Sequence, residues 1–148
     1  MSGLALAGCF LVACGGNGGG ALSEADFRRA VNAVCRSARS SIAHLPKADA
    51  GNPTALVKSG RRALAKEREA ARELAGLNAP ATVERAVHRW LRLVSRALDS
   101  ADASVRAQAQ GDLAAASRAN ADGSRLVTAA DAAARGLRVP ECATPAPK

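Results

Sequence analysis

Aromatic side chains are nearly missing from this sequence: tyrosine is absent, and only Phe10, Phe27 and Trp90 carry rings. Strands draw on aromatic and β-branched residues, so the shortage argues against a sheet. No alternating apolar–polar run of strand length is present either. Histidine is limited to His44 and His88, and Met1 is the sole methionine. Haem would need an axial histidine, tyrosine or methionine in an apolar pocket, and neither histidine falls in an apolar stripe. Glu84 and His88 sit i,i+4 and could grip one ion weakly, but two ligands do not make a site. The Glu-x-x-His repeat of di-iron bundles is missing. Neither a metal nor any other cofactor is expected. There is no serine elbow, no glycine loop at phosphate-binding spacing and no Cys-x-x-Cys pair. An enzyme is therefore not expected. The longest apolar run falls well short of the roughly 20 residues that span a bilayer.

What the chain has is alanine and arginine. Alanine supplies 37 of 148 residues, a quarter of the sequence, and arginine 17 of the 21 cations, against 13 acidic residues. Alanine favours helix because it loses no side-chain entropy on ordering. The length suits a single domain with one core, and the prediction is all-α.

Residues 3–14, GLALAGCFLVAC, form an uninterrupted small-and-apolar run with the length of a signal-peptide h-region. It ends at Leu11-Val12-Ala13-Cys14, and the glycine-rich stretch Gly15-Gly16-Asn17-Gly18-Gly19-Gly20 follows directly. This N-terminus resembles a bacterial lipoprotein signal peptide with its lipobox, which implies cleavage before Cys14 and acylation of that cysteine. Leu6-Ala7-Gly8-Cys9 fits the same pattern and leaves Cys9 as the alternative, although the apolar run would then continue into the mature chain. The first charged residue is Glu24, so the usual positive n-region is missing. The expected organisation is a signal peptide at 1–13, an acylated cysteine and tether at 14–22, a helical bundle at 23–142 and a disordered tail at 143–148. The expected location is extracytoplasmic, lipid-anchored at the cell membrane.

The body divides into four helical segments. Ser23 reads as an N-cap with Asp26 reaching back. Phe27, Val31, Val34, Ala38, Ile42 and Leu45 then share one helix face. Asn52-Pro53 reads as the cap and first position of a second helix, whose apolar stripe holds Leu56, Val57, Gly60, Leu64, Ala71, Leu74 and Ala75. In the third segment Val83, Val87, Trp90, Leu91, Val94, Leu98, Ala101 and Val105 form one stripe, which places Trp90 in the core. Gly111-Asp112 reads as a glycine stop followed by a new cap. The fourth helix turns Leu113, Ala116, Val127, Ala130 and Ala134 inward, and Gly136-Leu137 reads as a Schellman ending. Short loops predict an up-down-up-down four-helix bundle. The alternative is three helices, with the last two fused into one rod.

Cys35 and Cys142 remain once the leader cysteines are set aside. An exported chain with an even pair points to a disulfide. In such a bundle the end of the fourth helix lies beside the start of the first, so a returning tail would bring Cys142 to Cys35. The competing reading is one buried and one exposed free thiol. An early helical cysteine with a Gly-Leu-x-x-x-x-Cys ending, here Gly136-Leu137 to Cys142, is similar to small helical lipoproteins of actinobacteria; that likeness implies no activity.

Two features are candidates for function. Arg85, Arg89, Arg92 and Arg96 line the face of the third segment opposite Trp90. They suit anionic phospholipid headgroups or wall polymers, or they are simply a solvated face. Nucleic acid is not expected as a partner of an exported chain without stacking aromatics. Glu67 is the second feature, because helical spacing puts it among apolar residues, between Gly60 and Leu74. It reads as a core carboxylate satisfied by Asn120 or an arginine, as a wall, with Gly60, of a pocket for a cationic or polar ligand, or as an error of helical phase. The functional expectation is a tethered binding or interaction module for an envelope protein or small ligand. The alternative is an accessory envelope protein held to the anionic surface by its basic face.

Overall fold

The computed structural model describes residues 22–144. The signal-peptide, lipobox and tether readings on residues 1–21 lie outside that range, as do residues 145–148 of the expected tail.

Four helices follow one another: α1 (Glu24–Ala43), α2 (Pro53–Ala75), α3 (Glu84–Ala109) and α4 (Leu113–Gly136), then a short 3-10 turn at Pro140–Cys142. Their boundaries have local causes. The Ser23 hydroxyl accepts the Asp26 N–H at 3.1 Å, and Asn52 Oδ1 accepts that of Ala55 at 3.1 Å, with Pro53 at the first helical position. Between α3 and α4, Gly111 adopts φ +75°. The N–H of Asp112 then reaches the Ala107 carbonyl at 2.9 Å and that of Gly111 reaches Gln108 at 3.1 Å, a Schellman ending. The Asp112 carboxylate immediately caps α4 through the Ala115 N–H at 2.8 Å. Three residues thus stop one helix and start the next, and α3 and α4 are not one rod.

The second Schellman ending is displaced from its expected place. Gly136 is the last residue of α4, and Arg138 is the residue with positive φ, +60°. The Val139 N–H returns to the Ala134 carbonyl and the Arg138 N–H to that of Arg135, each at 3.0 Å. Burial decides the register, because it places Val139 in the core with no exposed surface.

Neighbouring helices pack in sequence, which makes the bundle up-down-up-down. The α3–α4 pair is the most extensive and α1–α2 much looser. Small residues explain the difference: Gly123 of α4 lies against Ser100 of α3, so the two backbones approach closely. The main core gathers Phe27, Val31, Val34, Leu74, Val87, Trp90, Ala130, Ala134, Leu137, Val139 and Ala143. Trp90 is 2% exposed, as its stripe predicted. Leu113 is not inward: it is 74% exposed, while Ala116 of the same first turn of α4 is buried. Leu56 and Val127 also keep substantial exposure, and Ala75 is exposed.

The helices of α1 and α4 do not pack directly on each other. The returning tail fills the seam. The Cys35–Cys142 disulfide is present, with Cα atoms 5.1 Å apart. A polar row on α1 holds the rest of the tail. Arg28 Nε donates to the Leu137 carbonyl at 3.1 Å, and Asn32 Oδ1 accepts the Glu141 N–H at 3.1 Å. Arg39 donates to the Glu141 and Ala143 carbonyls at 2.6 and 3.2 Å. Order extends to Thr144, whose N–H donates to Asp131 Oδ1 at 3.1 Å. At the other boundary Leu22, placed in the tether by the sequence reading, already packs against the core.

Candidate functional site

The loose α1–α2 packing, together with the tail in the α1–α4 seam, leaves a cleft of about 400 Å³ at the centre of the bundle. Ala38 of α1 contributes to it, as do Glu67, Ala70, Ala71 and Leu74 of α2. The α3 wall is Trp90, Val94, Ala97, Leu98 and Ala101, and the α4 wall is Val127, Ala130 and Asp131. Cys142 and Thr144 close it from the tail, so the disulfide strap forms one side of the cleft. The volume lies within the roughly 300–1,000 Å³ typical of small-molecule sites. Alanine causes the space: Ala38, Ala70, Ala71, Ala97 and Ala101 stand where larger side chains would meet across a filled core.

Glu67 belongs to this wall, so the helical phase of the sequence reading holds. Its burial does not. Glu67 remains exposed, and among the described residues it makes neither a hydrogen bond nor an ion pair; Asn120 is not its partner. Its neighbours one turn away on α2 are Ala63, Leu64, Ala70 and Ala71, none able to pair with it. The cleft walls nevertheless displace much of the surrounding water, and this desolvation raises its pKa above the ordinary 4.5. An open carboxylate in a concave wall is both accessible and poorly hydrated. Gly60 is not part of the cleft. It allows α2 to approach α3, where an added Cβ would meet Val105 Cγ2 at 3.1 Å.

Other charges on α2 behave differently. Lys66 pairs with Glu69 at 2.9 Å, which lowers the Glu69 pKa. Arg68 bridges to α3 through Asp102 at 3.4 Å and Asp99 at 3.6 Å. At the start of α1, Thr82 donates to Glu24 at 2.6 Å and Arg28 pairs with the same carboxylate; the Thr82 bond is the largest cause of its lowered pKa.

Trp90 completes the α3 wall, and its Nε1–H is buried without an acceptor among the described residues. Arg85, Arg89, Arg92 and Arg96 are all exposed on the opposite face of α3, with no acidic partner among the described residues. His88 and Glu84 form a loose exposed pair at 3.7 Å. Among the described residues no group of three or more potential metal ligands comes together, and no helix is long and apolar enough to cross a membrane.

Sequence reasoning identified Cys35 but missed that Arg28, Asn32 and Arg39 form a tail-holding row with it. A signal existed: the four recur at helical spacing on one face, with the disulfide cysteine among them. It also missed Asp131 as a cleft residue. No family model, curated protein or solved structure matches this chain.

Proposed function

We propose that this chain is a lipid-anchored binding module of the cell envelope, without catalytic activity, that holds a small molecule in the interhelical cleft. The observation that carries the binding reading is the cleft itself, apolar along four helices with Glu67 and Asp131 as its titratable groups among the described residues. The anchored, extracytoplasmic part rests on the lipobox at Cys14 and the glycine run after it. Two acyl chains, rather than one, give stable anchoring. Cys14→Ser should release the protein from the membrane fraction. Release by Cys9→Ser instead would move the anchor to Cys9, and release by neither would remove the anchored reading.

Trp90 provides a direct test of binding, since it is the only tryptophan and tyrosine is absent. Intrinsic fluorescence therefore reports from the cleft wall. The full chain bearing Cys9→Ser and Cys14→Ser, with its disulfide intact, is titrated with octylamine, 1-octanol and octanoate. At least one should shift the Trp90 emission and raise Tm, and Ala71→Leu, which fills the cleft, should abolish both effects. No response to any of the three would overturn the reading.

The arginine face supports a second reading, an accessory protein held to an anionic surface, because four exposed guanidinium groups without an acidic partner among the described residues share one stripe. It requires salt-sensitive binding to anionic vesicles by the non-acylated chain.

A further inference from the structure

We infer that the cleft takes an organic cation: an apolar body carrying a protonated amine, with the ammonium held at the Glu67 and Asp131 carboxylates. This rests on the cleft being a ligand site and names the class of ligand.

The charge of the lining runs against that of the chain. Cations outnumber acids 21 to 13 overall, yet among the described residues no lysine, arginine or histidine lines the cleft, and two carboxylates do. Among the described residues neither carboxylate has a cationic partner. Glu67 lacks a partner, and Asp131 accepts one backbone N–H, from Thr144, through Oδ1. The helices supply otherwise only alanine, leucine, valine and the single aromatic Trp90, and the tail adds Cys142 and Thr144.

Each ligand class meets this wall differently. A neutral apolar molecule would displace water from two carboxylates and return nothing, a cost that grows as the cleft dries. An anion would add repulsion between like charges in a poorly hydrated space. A protonated amine supplies the missing counter-charge and hydrogen-bond donors, and charge-assisted bonds of this kind are the stronger ones. The raised pKa of Glu67 agrees, since it reports a carboxylate that has lost hydration without gaining a partner.

The matched octyl series decides the matter at pH 7.5, read by Trp90 fluorescence on the full chain with Cys9→Ser and Cys14→Ser. Octylamine should bind at least tenfold more tightly than 1-octanol, and octanoate least. Glu67→Gln and Asp131→Asn keep shape and hydrogen-bonding capacity, and the asparagine can still accept the Thr144 N–H. Each should shrink the preference for amine over alcohol, and the double variant should remove it, octylamine affinity falling while 1-octanol affinity rises as the desolvation cost of the carboxylates is lifted. Equal binding of amine and alcohol to the unsubstituted chain would overturn the cation assignment and leave the cleft as a ligand site. Tighter binding of octanoate would overturn it too, as would an amine preference surviving in the double variant. Failure of all three probes would remove cleft and cation together.

Discussion

At Glu67 the cost of the cleft is carried by one side chain. Its folded-state pKa lies above the ordinary 4.5 because the cleft walls around it desolvate the charged form. The folded chain therefore holds that proton to higher pH than the unfolded chain, and stability falls as pH rises through the interval between the two values. Glu67→Gln removes this loss. Its stability relative to the unsubstituted protein should be level at about pH 3, then improve from around pH 4.5 upward and plateau above the folded pKa. Denaturant unfolding of both proteins across that range is the check, and a difference constant with pH would refute it. Arg138 carries a different cost, that of a left-handed residue with a side chain. The left-handed conformation costs a non-glycine residue roughly 1–2 kcal/mol, against about 0.5–1 kcal/mol of extra chain entropy for glycine. Arg138→Gly should stabilise by about 0.5–1 kcal/mol, and Gly111→Ala should destabilise by a similar amount, both read from Tm. These residues also show what the sequence discloses. Helical spacing sets the direction in which Glu67 points, since phase depends only on position along α2. Its exposure depends on how far α1 stands from α2, and no local pattern encodes that distance. Gly136 looked like the left-handed residue because glycine is the usual occupant, but burial of Val139 moved the turn two positions on.

Among the elements, the tail behaves as a fifth packing unit. The helices and their caps were legible because Ser23, Asn52, Gly111 and Asp112 act on their own backbone neighbours. The disulfide was legible because antiparallel order ends α4 near the start of α1, from where a returning tail runs along α1 to Cys35. The grip of Arg28, Asn32 and Arg39 on the tail was not, because its partners are backbone carbonyls and an N–H, which any sequence supplies. Cys35 and Cys142 are 107 positions apart, a loop for which the chain-entropy model gives roughly 4–5 kcal/mol. The double variant Cys35→Ala/Cys142→Ala should lose about that much stability, less whatever the unfolded chain retains of its own structure. It should also weaken any cleft ligand, because Cys142 and Thr144 are cleft walls. Calorimetry and octylamine titration on the same preparation test the two effects. Loss of stability with full retention of binding would show that the strap braces the bundle without shaping the site.

Across the whole molecule the two candidate surfaces belong to opposite faces of one helix. Trp90, Val94, Ala97 and Ala101 face the cleft, and at about 100° per residue Arg85, Arg89, Arg92 and Arg96 lie on the far side of α3. An anionic surface docked on the arginines therefore leaves the α3 wall of the cleft untouched, so binding and docking are separable properties. Each cationic side chain near an anionic leaflet is worth about 1 kcal/mol at low salt. Four together amount to roughly three orders of magnitude in binding. Screening confines that attraction to about 8 Å at physiological ionic strength. Replacing all four by serine should abolish binding of the non-acylated chain to anionic vesicles at low salt. These side chains are exposed and without an acidic partner among the described residues, so the stability should change by no more than about 1 kcal/mol, and the Trp90 response to octylamine should be unchanged. Vesicle co-sedimentation over a salt series, beside the fluorescence titration, makes the comparison. If the unsubstituted chain does not bind anionic vesicles even at low salt, the stripe is a solvated face, and the acyl anchor alone would have to hold the protein in place.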